Sequence, residues 1–367
     1  MTEQEIEDEL LKPRIQKADL KRSDYLSSGS TLLNLACSGT PYGTFVKGGY
    51  HWMVGDSDTG KTFLMLTAFA EAANCSDWDD YDLIFDDVEN GALMDMPHYF
   101  GQKMADRIQP PAYDEDGEPI HSASIEDFYF GLSERLDRVE SGKGRPFLML
   151  LDSMDALSSK YEKSKFDEKK KAHETGKKPK GDYGDGKAKV NSTYIRTVVS
   201  RLRKTGCCLI ILSQTRDNID AGMFESKKTH AGGRALKFYA TWQLWSSSGG
   251  KITKQYKGKD RQLGIHSKVS IKKNRLTGKE WVITVPIYHA HGLDNIESCI
   301  DYLCEEKHWK KDGARITAPE FDFAGNKDSL IVHIEENDSE PRLVKIVTSV
   351  WRGIEEAVRP KRKARFS

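Results

Sequence analysis

Eight residues, Gly55-Asp56-Ser57-Asp58-Thr59-Gly60-Lys61-Thr62, define the chemistry open to this chain. They fit the spacing G-x-x-x-x-G-K-[ST], in which two glycines let backbone N–H groups wrap a polyphosphate. Lys61 is spaced to reach the β- and γ-phosphates, and the Thr62 hydroxyl to ligate Mg²⁺. The apolar run Tyr50–Val54 before the loop reads as a buried strand. The segment Phe63–Ala70 after it reads as a helix whose N-terminus points at the phosphates. The prediction is a site for a nucleoside triphosphate with Mg²⁺; the loop alone does not choose among kinases, GTPases and motors.

Further candidates end other apolar runs. Phe147–Leu151 runs into Asp152, a carboxylate suited to the Mg²⁺ shell. Leu83–Phe85 leads to Asp86-Asp87-Val88-Glu89, where Glu89 is a candidate general base for an attacking water. Gln214 follows Cys207–Leu212, and its amide is a candidate sensor of the γ-phosphate. All three fall at carboxyl ends of strands, where ligands bind in open α/β sheets.

These strands must be buried on both faces, because their runs are apolar rather than alternating. With Thr241–Trp245 they predict an α/β fold with a mostly parallel sheet. Lys268–Lys272 and Trp281–Pro286 predict an added antiparallel hairpin. Ser158–Lys189 holds 11 lysines against six acids and predicts a mobile loop. A second polar loop is expected over Thr215–Gly233. Residues 294–367 predict a small α+β appendage. Its tail is basic (Arg359, Lys361, Arg362, Lys363, Arg365), whereas the N-terminus is acidic.

Lys+Arg and Asp+Glu both number 56, so net charge selects no partner. The six cysteines lack zinc spacing and read as reduced thiols of a cytosolic protein. No 18-residue apolar run occurs, which argues against membrane spanning.

Taken together, these motifs resemble the RecA/RadA recombinase superfamily, and RecA and phage UvsX-like recombinases most of all, over roughly residues 25 to 293. The strings carrying the likeness are Ser27–Asn34, Asp87–Asn90, Asp152–Leu157, Ser213–Ile219 and, most specific, Gly232-Gly233-Arg234-Ala235-Leu236-Lys237-Phe238-Tyr239-Ala240. The resemblance implies a RecA-like P-loop ATPase core over 27–293, an N-terminal oligomerisation segment over 1–26, and DNA-binding loops near 158–190 and 215–233. It implies a DNA-dependent ATPase that forms filaments on single-stranded DNA and pairs it with duplex, in the cytoplasm of a bacterial or phage-infected cell. Lys187, Lys189, Arg216, Lys227, Lys228, Gly232, Gly233 and Arg234 would meet DNA. Lys273 and Arg275 would reach the neighbouring subunit's γ-phosphate, Phe238 would mark the subunit interface, and Tyr99 would stack on adenine. Departures are an extra residue after Glu89, an acid at Asp58, a longer lysine-rich first loop and a basic rather than acidic tail. Two other readings of the same residues are a RecA-fold ring motor or helicase, and an ATP-gated regulator of such filaments.

Overall fold

The computed structural model describes residues 20–110, 112–115, 119–175, 186–217, 228–230, 233–362 and 365. Its centre is a sheet of ten strands: β1 (Tyr50–Gly55), β2 (Asp82–Asp87), β3 (Ile108–Gln109), β4 (Phe147–Asp152), β5 (Cys208–Asp217), β6 (Lys228–His230), β7 (Trp242–Tyr256), β8 (Lys259–Asn274), β9 (Val282–Tyr288) and β10 (Gly292–Leu293). Their spatial order is β10-β9-β8-β7-β1-β5-β4-β2-β3, with β6 against β5. Contacts from β7 through β3 are parallel, and β8, β9, β10 and β6 pair antiparallel. The expected α/β class and added hairpin are both present.

The helices are α1 (Thr31–Ser38), α2 (Lys61–Asn74), α3 (Ile125–Glu140), α4 (Lys160–Glu174), α5 (Gly186–Thr205), α6 (Arg234–Tyr239), α7 (Asn295–Glu305), α8 (Lys327–Glu336) and α9 (Glu340–Ala357). Alternate residues of each central strand serve opposite faces. Met53, Leu148, Leu150, Ile210 and Leu212 pack under α2 with Leu64 and Ala68. Trp52, Met149, Leu151, Leu209 and Ile211 pack on the other face with Leu132 of α3 and Val198 of α5. Each such side chain contributes about 2 kcal/mol of burial. Packing on both faces is why these runs carry no polar alternation.

Two loop expectations are corrected. Lys160–Glu174 is a helix despite its lysines, because Ser159 and Glu162 form a capping box at its start. Gly186 onward belongs to α5, so residues 176–185, which lie outside the described residues, separate two helices. In the second stretch β5 runs on to Asp217 and pairs with β6. The Thr241–Trp245 strand is also longer than expected, reaching Tyr256.

The region after residue 293 combines a three-stranded sheet within 310–325 with α7, α8 and α9. It shares one apolar cluster with the main body: Ile300, Leu303 and Trp351 join Leu32, Val269 and Ile283. Asn295 also accepts the backbone N–H of Thr31 at 2.8 Å. Residues 1–19 of the expected N-terminal segment lie outside the described residues; Tyr25–Leu26 pairs with Phe45–Val46 and belongs to the main body.

Candidate nucleotide site and the roots of two loops

The phosphate loop joins β1 to α2 at the carboxyl edge of the sheet. Gly60, the N-cap of α2, sits at φ 80, and a Cβ there would meet Ile287 at 2.7 Å. Both conditions call for glycine. Asp58 also has positive φ, at 58, a conformation that Asp tolerates. The loop is braced from below: Thr59 Oγ1 lies 2.8 Å from Ser246 Oγ, and Ser267 donates to the Thr59 carbonyl at 2.7 Å.

Lys61 is buried and donates to the Asp56 carbonyl at 2.6 Å. Burial pulls its pKa down, against the opposing pull of Asp152, Glu89, Asp56 and Asp155. Thr62 donates to Asp152 Oδ2 at 2.5 Å. Burial pushes the Asp152 carboxyl up to about 6, with Glu89 and Asp87 adding to the rise and Thr62 opposing it. One ammonium thus faces four carboxylates, an imbalance that a divalent cation would offset.

Glu89 accepts from Ser153 Oγ and from Gln214 Nε2, the latter at 3.2 Å. The extra residue after Glu89 is absorbed in a turn. Asn90 takes φ 50, and Asp87 accepts from the N–H groups of Gly91 and Ala92 at 3.1 and 3.0 Å.

Past Gln214, two acids grip the root of the second loop. Asp155 Oδ2 accepts the Gln214 N–H at 2.8 Å, and its Oδ1 lies 3.9 Å from Arg216. Asp56 accepts from the Thr215 hydroxyl. The first loop ends at the same place: Lys187 donates to the Asp155 carbonyl at 3.2 Å, and a Cβ on Gly233 would meet Ala188 Cβ at 2.9 Å. Lys189 and Arg234 point from this neighbourhood to solvent, both on the first turns of helices. Lys227 and Gly232 lie outside the described residues, and of Lys228 only the backbone in β6 is described.

Tyr99 stands by the β9–β10 turn, its hydroxyl donating to the His289 carbonyl at 2.6 Å and its ring edge-on to Phe63 at 5.3 Å. Lys273 and Arg275 lie elsewhere. Lys273 and Trp52 both flank Gln243 of β7, three residues short of Gly55 and two strands across. That separation is about 14 Å at usual sheet spacings. Their side chains are turned away: Lys273 donates to the carbonyls of Lys237 and Phe238 at 2.7 and 2.6 Å, and Arg275 to Phe238 at 2.5 Å. Burial, then Arg275 and Lys237, lower the Lys273 pKa to about 8. With Thr229, Gly233, Arg234 and the 65% exposed Phe238, Lys237 and Lys273 line a cleft of about 630 Å³. A larger cleft of about 1100 Å³, between Tyr25, Glu71 and Arg352, does not touch the phosphate loop.

The family described as RecA N-terminal domain matches residues 148–294. The chain is 27% identical over 282 residues to Protein RecA of Cytophaga hutchinsonii, spanning 75% of this chain and 67% of that protein. These likenesses support a RecA-family recombinase. Protein RecA of Acinetobacter baylyi is 24% identical over 318 residues, covering 85% of this chain and 78% of its own. Protein RecA of Trichodesmium erythraeum is 30% identical over 161 residues, 43% of either chain.

The span matched by the family model carries Asp152, Gln214, Lys273 and Arg275, and it begins after the phosphate loop. Sequence reasoning gave no role to Asp155 or to the Asp56 side chain. Asp155 falls three residues past Asp152, and that offset after a strand end was the available signal. Asp56 touches Thr215, 159 positions away, and nothing local announces it.

Proposed function

We propose that this chain is a DNA-dependent ATPase that assembles on single-stranded DNA and promotes homologous pairing and strand exchange. The observation that carries the reading is the continuity between the phosphate site and the DNA-loop roots. Gln214 reaches Glu89 with its side chain and Asp155 with its backbone, and Asp155 also holds Arg216 and Lys187. Any movement of Arg216 or Lys187 toward a phosphate backbone is therefore felt at Glu89. Similarity to RecA proteins supports the same assignment.

In this reading the phosphate-loop N–H groups and Lys61 hold ATP, and Tyr99 contacts its base. Magnesium, held by Thr62 and Asp152, would neutralise charge on the β- and γ-phosphates. Glu89 takes a proton from water as the oxygen attacks the γ-phosphorus, and the bond to the β-phosphate oxygen breaks. Lys273 and Arg275 point at α6 rather than at their own chain's phosphate loop. They fit the neighbour's γ-phosphate, presented from the basic cleft beside Phe238, and stabilise charge in its transition state. The arrangement ties hydrolysis to assembly. Lysines of α4, with Lys187, Lys189, Arg216, Lys227, Lys228 and Arg234, supply a salt-sensitive grip on the strand, and Gly232-Gly233 lets the backbone approach it.

The test is ATP hydrolysis by wild type and Lys61→Ala, with and without single-stranded DNA, across a salt series. Stimulation by DNA that Lys61→Ala abolishes and salt weakens supports the reading. Hydrolysis indifferent to DNA removes it.

A further inference from the structure

β7 and β8 outrun the sheet that contains them. β7 pairs with β1 only over Trp242–Ser246, and β8 pairs with β9 only over Gly264–Ser270. From Thr253 to Tyr256 and back from Lys259 to Gln262 the two strands pair only with each other. The turn places Lys257 and Gly258 at φ 50 and 72, a two-residue hairpin turn matched to strand twist. Because β7 runs parallel to β1, with Ser246 opposite Gly55, the ribbon leaves from the carboxyl edge of the sheet. That is the edge bearing the phosphate loop and the roots of both loops. The free part extends on the order of 10–15 Å.

Every residue from Thr253 to Leu263 is exposed, so no core selects these side chains. A two-stranded ribbon without an apolar face is marginal in water. Its charges are also arranged at a cost. Lys254 pairs with Arg261 and Tyr256 with Lys259, so these four side chains share one face. Like charges directly opposite destabilise a strand pair. Among the described residues, none of Lys251, Lys254, Lys257, Lys259 and Arg261 has an ion-pair partner. At the tip Tyr256 is 60% exposed, with the Lys257 ammonium 5.4 Å from its ring centre. The opposite face carries Thr253, Gln255, Asp260 and Gln262, a near-neutral set.

We infer that this ribbon is a further nucleic-acid contact, taking an unpaired strand on its cationic face. Lys254, Lys259 and Arg261 neutralise successive phosphates, which removes the like-charge cost, and Tyr256 stacks on a base. The inference rests on the DNA-dependent reading above but uses none of its loop residues. An acidic protein segment would satisfy the cations and leave Tyr256 without purpose.

The experiment is binding of the full chain, with ATP and Mg²⁺, to labelled oligo-dT and to an abasic strand of equal length across a salt series. The variants are the triple Lys254→Ala/Lys259→Ala/Arg261→Ala and the single Tyr256→Ala; all four positions are exposed, and hydrolysis without DNA should stay at wild-type level. For the triple variant we expect about tenfold weaker binding and a salt slope shallower by about 2, some 0.7 per lost phosphate contact. Tyr256→Ala should weaken oligo-dT binding at least fivefold and leave the abasic strand unchanged. Wild-type affinity and slope in the triple variant would overturn the ribbon site and leave the broader reading standing. A wild-type protein that binds neither strand overturns both. Loss of self-assembly without DNA in the triple variant would assign the ribbon to a second copy of the chain and overturn the inference.

Discussion

The phosphate loop and the Lys273–Arg275 corner share one sheet and differ in almost every physical respect. The loop is braced by Ser246 and Ser267, and its lysine is buried among carboxylates. The corner lies beside exposed Phe238, and its cations are occupied by α6 carbonyls. One region has excess negative charge and the other excess positive charge. The sheet is stiff and holds the two apart. Two oppositely charged regions held apart on one sheet fit the proposal that they meet between chains.

Four variants probe that contrast. Lys61→Ala should have the largest effect, at least 10³-fold on hydrolysis, because no other cation stands inside the loop; steady-state hydrolysis with saturating DNA measures it. Lys273→Ala/Arg275→Ala should lower kcat on DNA by about 10²–10³-fold and leave nucleotide affinity within about threefold. Equal losses in affinity and kcat would mean that the corner is only structural. Gln214→Ala should reduce DNA stimulation about tenfold and leave DNA-free hydrolysis near wild type, since it cuts the link from Glu89 to the second loop and no phosphate ligand.

The smallest effect is on stability. The Asp152 carboxyl is held at about 6, above the unfolded value near 3.9. A raised carboxyl pKa means the folded chain binds the proton more tightly, so stability falls as pH rises from about 4 to about 6 and stays lower above. Asp152→Asn should therefore stabilise metal-free protein at pH 7, by up to about 3 kcal/mol, and give no gain at pH 4. Thermal unfolding at the two pH values reads the difference, and a lower Tm at pH 7 would contradict the charge-excess picture of the loop.

Local features made half of this site legible in the sequence. Gly55–Thr62 and the run into Asp152 are contiguous strings, and their strands are apolar because both faces are covered. The pairings that join the halves were not legible. Gln214 meets Glu89 across 125 positions, and folding alone brings them together. The α4 helix was obscured by composition: its lysines read as a loop, and the Ser159–Glu162 capping box outweighed them. The β7–β8 ribbon was hidden because exposed strands lack apolar alternation, and only Lys257-Gly258 hinted at a turn.

The most direct test of the divided site mixes two inactive proteins. Glu89→Gln keeps the corner and lacks the base; Lys273→Ala/Arg275→Ala keeps the base and lacks the corner. On single-stranded DNA an equimolar mixture should recover about a quarter of wild-type hydrolysis, the fraction of head-to-tail interfaces that pair an intact base with an intact corner. A mixture as inactive as its two components would mean that each chain completes its own site, and would contradict a site divided between neighbours.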